Sequence, residues 1–155
     1  MSIEGGVGRK SSQWVVVANE SAAEFYLRND NSGSLTKEFN LHSEDARRKT
    51  GELISDSAGR GFDSVGHGRH AFTNEISPKE SAVLRFAGTV TDRILKMSTQ
   101  GQLKNYVIVS APRFLGYLRK ALRRTSIDEP LLTIDKDVVG FSTADIERIV
   151  STEKQ

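Results

Sequence analysis

The sequence predicts an α/β fold in which a mixed β-sheet, opened by an N-terminal β-meander, is flanked by helices. Three observations predict it. The run Trp14 to Ala18 is continuously apolar and β-branched, as a central strand buried on both faces requires. Two more short strand patterns come next, separated by turn residues, which makes a three-stranded antiparallel meander. Beyond residue 77, strand patterns alternate with amphipathic helical ones, and strands joined through helices pair in parallel.

Residues 1–12 are rich in Gly and Ser without periodicity and read as a flexible tail, leaving residues 13–151 as one domain. Asn19-Glu20-Ser21 is turn chemistry before a second strand over Ala23 to Arg28. The cluster Asn29 to Ser34 is a stronger turn signal. It leads into a third strand, Leu35 to Leu41, whose alternation places Leu35, Lys37, Phe39 and Leu41 on one face. Ser43 suits the N-cap of a short helix over Glu44 to Leu53. The segment Ser55 to Asn74 then carries four glycines in close succession, Gly59, Gly61, Gly66 and Gly68, which precludes a stable helix or strand.

A well-specified helix comes after it, with Ser77 as N-cap, Pro78 at the first helical position and Glu80 completing a capping box. Val83, Phe86, Ala87, Val90, Ile94 and Met97 form its apolar stripe, and Gly101 lies past its end. Tyr106 to Val109 is a second buried strand. Pro112 starts a helix with Phe114, Leu115, Leu118, Ala121 and Leu122 on its core face. Leu131 to Ile134 is the last strand, and Ser142 caps a final helix that turns Ile146, Ile149 and Val150 inward.

Composition narrows the function classes. The chain of 155 residues is 37% hydrophobic and 27% charged, an ordinary globular balance. Without cysteine it has no disulfide framework and no thiolate metal site. No apolar run is long enough for a bilayer span or a secretory core, so membrane insertion is not expected and the cytoplasm is the expected location. A net charge of +2 permits an anionic partner without demanding one.

Two stretches concentrate candidate chemistry. The glycine-rich loop is longer than the roughly 12–15 residues usual for an unstructured connection in a compact domain. It carries the donors Arg60, His67, Arg69 and His70, a combination suited to phosphate or the RNA backbone. Phe62 and Phe72 could stack on unpaired bases. The plainer alternative folds this loop on its own domain, with Arg60 pairing Asp56 or Asp63. The second stretch, Ser110 to Thr125, holds five cations and no acid. Arg113, Tyr117, Lys120 and Arg124 recur at helical spacing as a basic stripe opposite the leucines. Here the plainer alternative is a solvated face whose late cations favour the helix dipole.

Other chemistries are less well supplied. His67 and His70 have ligand spacing but no defined third ligand, so no metal and no cofactor is expected. There is no nucleophile elbow, no Walker A lysine and no dinucleotide fingerprint, so no catalytic residue is assigned.

Four segments together resemble the bacterial host-attachment protein family across residues 13–150. They are Trp14-Val-Val-Val-Ala-Asn-Glu-Ser-Ala-Ala-Glu-Phe, Ser55-Asp-Ser-Ala-Gly-Arg-Gly-Phe-Asp-Ser-Val-Gly-His-Gly-Arg-His-Ala, Arg85-Phe86-Ala87 and Val107-Ile-Val-Ser-Ala-Pro-Arg-Phe-Leu-Gly-Tyr-Leu-Arg119. That family in turn resembles the middle domain of the archaeal and eukaryotic polypeptide-chain release factor, which implies a ribonuclease H-like sheet. There a Gly-Gly-Gln loop precedes a long helix, and here His67-Gly68-Arg69-His70 precedes Arg85-Phe86-Ala87. No Gly-Gly-Gln occurs in this chain, so peptidyl-tRNA hydrolysis does not carry over. Asn19 comes after the first strand where a two-metal nuclease needs a carboxylate, so nuclease activity does not either. The resulting expectation is a non-catalytic factor that engages the ribosome or structured RNA through loop and helix. The alternatives are a protein-interaction module in attachment to host cells or surfaces, and a phosphate-directed hydrolase with His67 or His70 as base.

Overall fold

The computed structural model describes residues 13–45 and 76–154. Strand β1 (Gln13–Ala18) turns into β2 (Ala22–Arg28) because the Asn19 side-chain oxygen accepts from the backbone amides of Ser21 and Ala22, at 2.8 and 3.0 Å. The next reversal, into β3 (Leu35–His42), repeats the device. Asn29 accepts from the amides of Asn31 and Ser32, and Gly33 takes φ +78°, a left-handed conformation that favours glycine. Residues 44 and 45 are helical after Ser43, and the rest of the expected short helix lies outside the described residues.

From there helix and strand alternate: α1 (Pro78–Thr99), β4 (Tyr106–Ser110), α2 (Pro112–Arg123), β5 (Leu132–Ile134) and α3 (Thr143–Lys154). Helix α1 ends in a Schellman arrangement, with the amides of Gly101 and Gln102 donating to the carbonyls of Ser98 and Met97. Ser142 accepts from the amide of Asp145 at 3.1 Å to start α3.

The sheet order is β3-β2-β1-β4-β5. β1 pairs antiparallel with β2 and parallel with β4, β2 pairs antiparallel with β3, and β4 pairs parallel with β5. Thus β2 alone runs against the other four, which is the ribonuclease H-like arrangement. Val15, Val16, Val17 and Ala18 at its centre are 0% exposed, as the unbroken apolar run requires.

Each face of the sheet has its own core. Val16, Ala18, Ala23, Phe25 and Ile108 pack against the α1 stripe and against Phe114, Leu115, Leu118 and Leu122 of α2. Val15, Val17, Tyr26, Val107, Val109 and Ile134 pack against Ile146 and Val150 of α3. Glu147 ties α3 to the sheet by accepting from the Leu35 amide at 2.7 Å.

The third strand departs from the simple alternation. Tyr26 pairs with Lys37 and Phe25 with Phe39, so Glu38 is an extra residue in β3. This bulge moves the odd-numbered residues from one face to the other. Leu35 joins the α3 side, while Phe39 stacks on Phe25 with centroids 4.5 Å apart and Leu41 packs on the α1 side. Lys37 stays with Tyr26 and reaches the buried Glu24 at 3.4 Å.

Burial also sets the behaviour of two tyrosines. Tyr106 donates to the Asp128 carbonyl at 2.7 Å, and burial, reinforced by Asp128 and Glu129, pushes its hydroxyl from the ordinary 10.0 up to about 12. Tyr26 is raised too, first by burial and then by Glu24. The folded chain holds these protons more tightly than the unfolded one. Their contribution is therefore complete below pH 10.0 and, for Tyr106, is lost as the pH rises through about 12. The unfolding free energy is expected to fall by up to about 1.4 kcal/mol per pH unit per tyrosine in that window. Tyr106→Phe is expected to flatten the slope while costing roughly 0.5–1.5 kcal/mol at neutral pH. Urea titrations from neutral to alkaline pH measure both, and an unchanged slope in the variant would refute the assignment.

Candidate functional site

The described part of the candidate site is built on α2. Pro112 begins this helix at a position where its missing N–H costs nothing, and no side chain caps Ala111 before it. Phe114, Leu115, Leu118 and Leu122 are buried, and Phe114 stacks on Phe86 of α1 at 5.8 Å. These four side chains fix the rotation of the helix, so the direction of every other side chain is set by its spacing to them.

At roughly 100° per residue, three groups separate. Arg113, Lys120 and Arg124 point away from the core as an outward row. Arg119 and Arg123, four residues apart, lie to one side, toward β5. Tyr117 lies to the other side, toward α1. It does not belong to the outward row, because it is half-buried and packs on the core.

Tyr117 donates to Glu80 at 2.6 Å, joining the middle of α2 to the first turn of α1. This corrects the capping box. Ser77 accepts from the Glu80 amide at 3.0 Å as expected, but the Glu80 carboxylate turns to Tyr117 instead of returning to Ser77. Glu80 still sits in the first turn, where the helix dipole favours an acid.

Arg113 joins the same network. Its guanidinium is held above its ordinary pKa by a hydrogen bond with Tyr117 and by the nearby Glu20 and Glu80 carboxylates. The cations of α2 therefore do not all lack a counter-charge, since the fold supplies Glu80 and Glu20 from elsewhere in the chain. Arg119 donates to the Thr133 hydroxyl at 2.7 Å. Lys120, Arg123 and Arg124 are exposed, and their side chains have no ion pair or hydrogen bond among the described residues. Those three are the positive charges that α2 leaves open.

Of the sequence-derived site residues, Arg60, Phe62, His67, Arg69 and His70 lie outside the described residues. Arg113, Tyr117, Lys120 and Arg124 share one helix, but Tyr117 is engaged with α1 and Arg113 with Tyr117. Among the described residues no group of three His, Asp or Glu side chains is placed to hold a metal ion. Asn19 is structural: besides its turn bonds, its amide donates to Asp137 at 3.1 Å, linking β1 to the segment after β5. The link from Glu80 to Tyr117 has no signal in the local sequence, which explains Glu80 fully as a cap.

Tyr117→Phe is expected to cost about 1 kcal/mol, and the Tyr117→Phe/Glu80→Gln cycle to show a coupling of roughly 0.5–2 kcal/mol. Chemical denaturation of the four proteins measures this. Additive single effects would mean that the contact contributes nothing to the fold.

Among the described residues no helix is long and apolar enough to cross a membrane. Comparison with solved structures finds distant likenesses. The archaeal translation termination factor aRF1 matches 99% of this chain and 42% of its own, at 13% identity and a TM-score of 0.43. A structure described as an archaeal protein matches 99% of this chain and 41% of its own, at 13% identity and a TM-score of 0.41. The Ppx/GppA phosphatase of Aquifex aeolicus matches 79% of this chain and 35% of its own, at 7% identity and a TM-score of 0.40. The chain spans less than half of each of these proteins, a distance at which likeness carries no activity across. No curated protein matches the sequence. The family model that matches residues 14–150 is described as a protein required for attachment to host cells, and the chain belongs to that family.

Proposed function

We propose that this protein is a non-catalytic, cytoplasmic factor that engages ribosomal or other structured RNA through the outward face of α2 together with the loop at residues 55–74. The observation that carries the reading is the set of open cations. Lys120 and Arg124 lie in one row on a helix locked to the core, and neither is neutralised by a carboxylate among the described residues. Unpaired cations on a fixed backbone suit a phosphate chain, where binding energy comes largely from counterion release. The resemblance to a release-factor middle domain and the Arg60, His67, Arg69 and His70 composition of the loop support the same partner. Phe62 adds a stacking surface. The missing Gly-Gly-Gln and the structural role of Asn19 support a non-catalytic role.

Ribosome co-sedimentation at graded salt tests the proposal. Wild type is expected to pellet with ribosomes, and both Lys120→Ala/Arg124→Ala and Arg60→Ala/Arg69→Ala/His70→Ala are expected to pellet less. For structured RNA, each lost phosphate contact should reduce the slope of log affinity against log salt by about 0.7–0.9. Equal pelleting of all three proteins, or none for wild type, would overturn the reading.

A further inference from the structure

The two edges of the sheet are unlike. At the β3 edge Lys37 and Glu38 are exposed and Glu38 forms the bulge, a charged and irregular border of the kind that discourages another strand. β5 at the opposite edge has neither device. Among the described residues it pairs with β4 on one side only, and Leu132-Thr133-Ile134 carries no charge and no bulge. Leu131, just before it, is 59% exposed.

Beside this edge lies a groove of about 570 Å³ between α2 and the segment entering β5. Leu122, Ile127, Leu131 and Leu132 supply apolar lining, and Arg119 and Arg123 stand on the α2 side. Arg119 reaches the strand itself at Thr133, a contact that uses one of its five donors. Arg123 has no side-chain partner among the described residues. Asp128 and Glu129 line the groove as well. The apolar lining disfavours a phosphate chain, whereas an extended peptide would use the strand edge, that lining and the arginine pair on the α2 side, across the groove from Asp128 and Glu129 in the segment entering β5.

We propose that the free edge of β5 accepts an extended segment of a partner protein as a sixth strand, with an acidic side chain of that segment held by Arg119 and Arg123. Main-chain hydrogen bonds to β5 would supply affinity, alternate apolar side chains would cover Leu131, and the arginine pair would select for acid. This surface is separate from the outward row of Lys120 and Arg124, so it stands or falls independently of RNA binding.

The test uses three synthetic heptapeptides of alternating valine and threonine in which two central positions are both Glu, both Gln or both Lys. Binding is monitored by backbone amide shifts of the full chain. The Glu peptide is expected to give saturable shifts at residues 131–134 below about 1 mM. The Lys peptide should bind at least about fivefold more weakly, with the Gln peptide between them. Arg123→Ala is expected to reduce the preference for Glu and Arg119→Ala/Arg123→Ala to abolish it. Leu131→Lys, an exposed substitution, should weaken all three peptides. Equal affinity for Glu and Lys peptides, shifts confined to β3, or self-association without peptide binding would each overturn the proposal. Because Arg123→Ala removes no hydrogen bond or ion pair among the described residues, loss of folding in the double variant would not obscure the result.

Discussion

The parallel pairing of β1 with β4 is the constraint on which the rest of this structure depends. Both strands are buried on both faces, with Val15 to Ala18 and Val107 to Val109 wholly removed from solvent. Two such strands cannot lie at a surface, so each face needs a covering layer. α1 and α2 cover one face and α3 the other. The pairing also sets the origin of α2. The amide of Ala111 reaches the Ala18 carbonyl at 3.3 Å, so the helix starts where β1 and β4 end together.

That origin gives α2 a fixed orientation. A helix anchored at its N-cap and by four buried side chains has one allowed rotation, and its charges inherit fixed directions. Tyr117 and Glu80 lock the remaining flank against α1. Ordering a long basic side chain costs entropy each time it is used, but the backbone that carries it is already in place. The arginines and lysines of α2 can therefore serve two different surfaces from adjacent helical positions.

Much of this architecture was legible in the sequence, and the misses share one physical origin. Strands, crossovers, stripes and caps depend on neighbours within a few positions, so Trp14 to Ala18, the Ser77–Pro78 start and the α1 stripe could all be read locally. The bulge at Glu38 was not legible, because it is a relation between β3 and β2, and alternation alone places Leu35 and Phe39 together. The capping box misled for a related reason. Its spacing was right, but a tyrosine 37 positions away competed for the Glu80 carboxylate and won it. On α2 the cations were visible while the counter-charges of Arg113 were not, since Glu20 of the β1–β2 turn and Glu80 of α1 approach it only once the chain folds. The separation of Arg119 and Arg123 from the outward row was present in their four-residue spacing. It acquired meaning only with β5 placed beside them.

The chemistry at the sheet's end explains why the helix flank matters in this fold. Open α/β sheets commonly take ligands beyond the carboxyl ends of their parallel strands. Here those ends are occupied with structural tasks. Both polar atoms of the Asn19 side chain are engaged, with Ser21, Ala22 and Asp137, and the buried Ser110 hydroxyl donates to the Ala111 carbonyl at 3.2 Å. A group already held by internal bonds must break them before it can bind anything else, and each such bond opposes the exchange. Lys120, Arg123 and Arg124 face no such competition among the described residues. These exposed cations of α2 can therefore turn to a partner without first releasing another side chain.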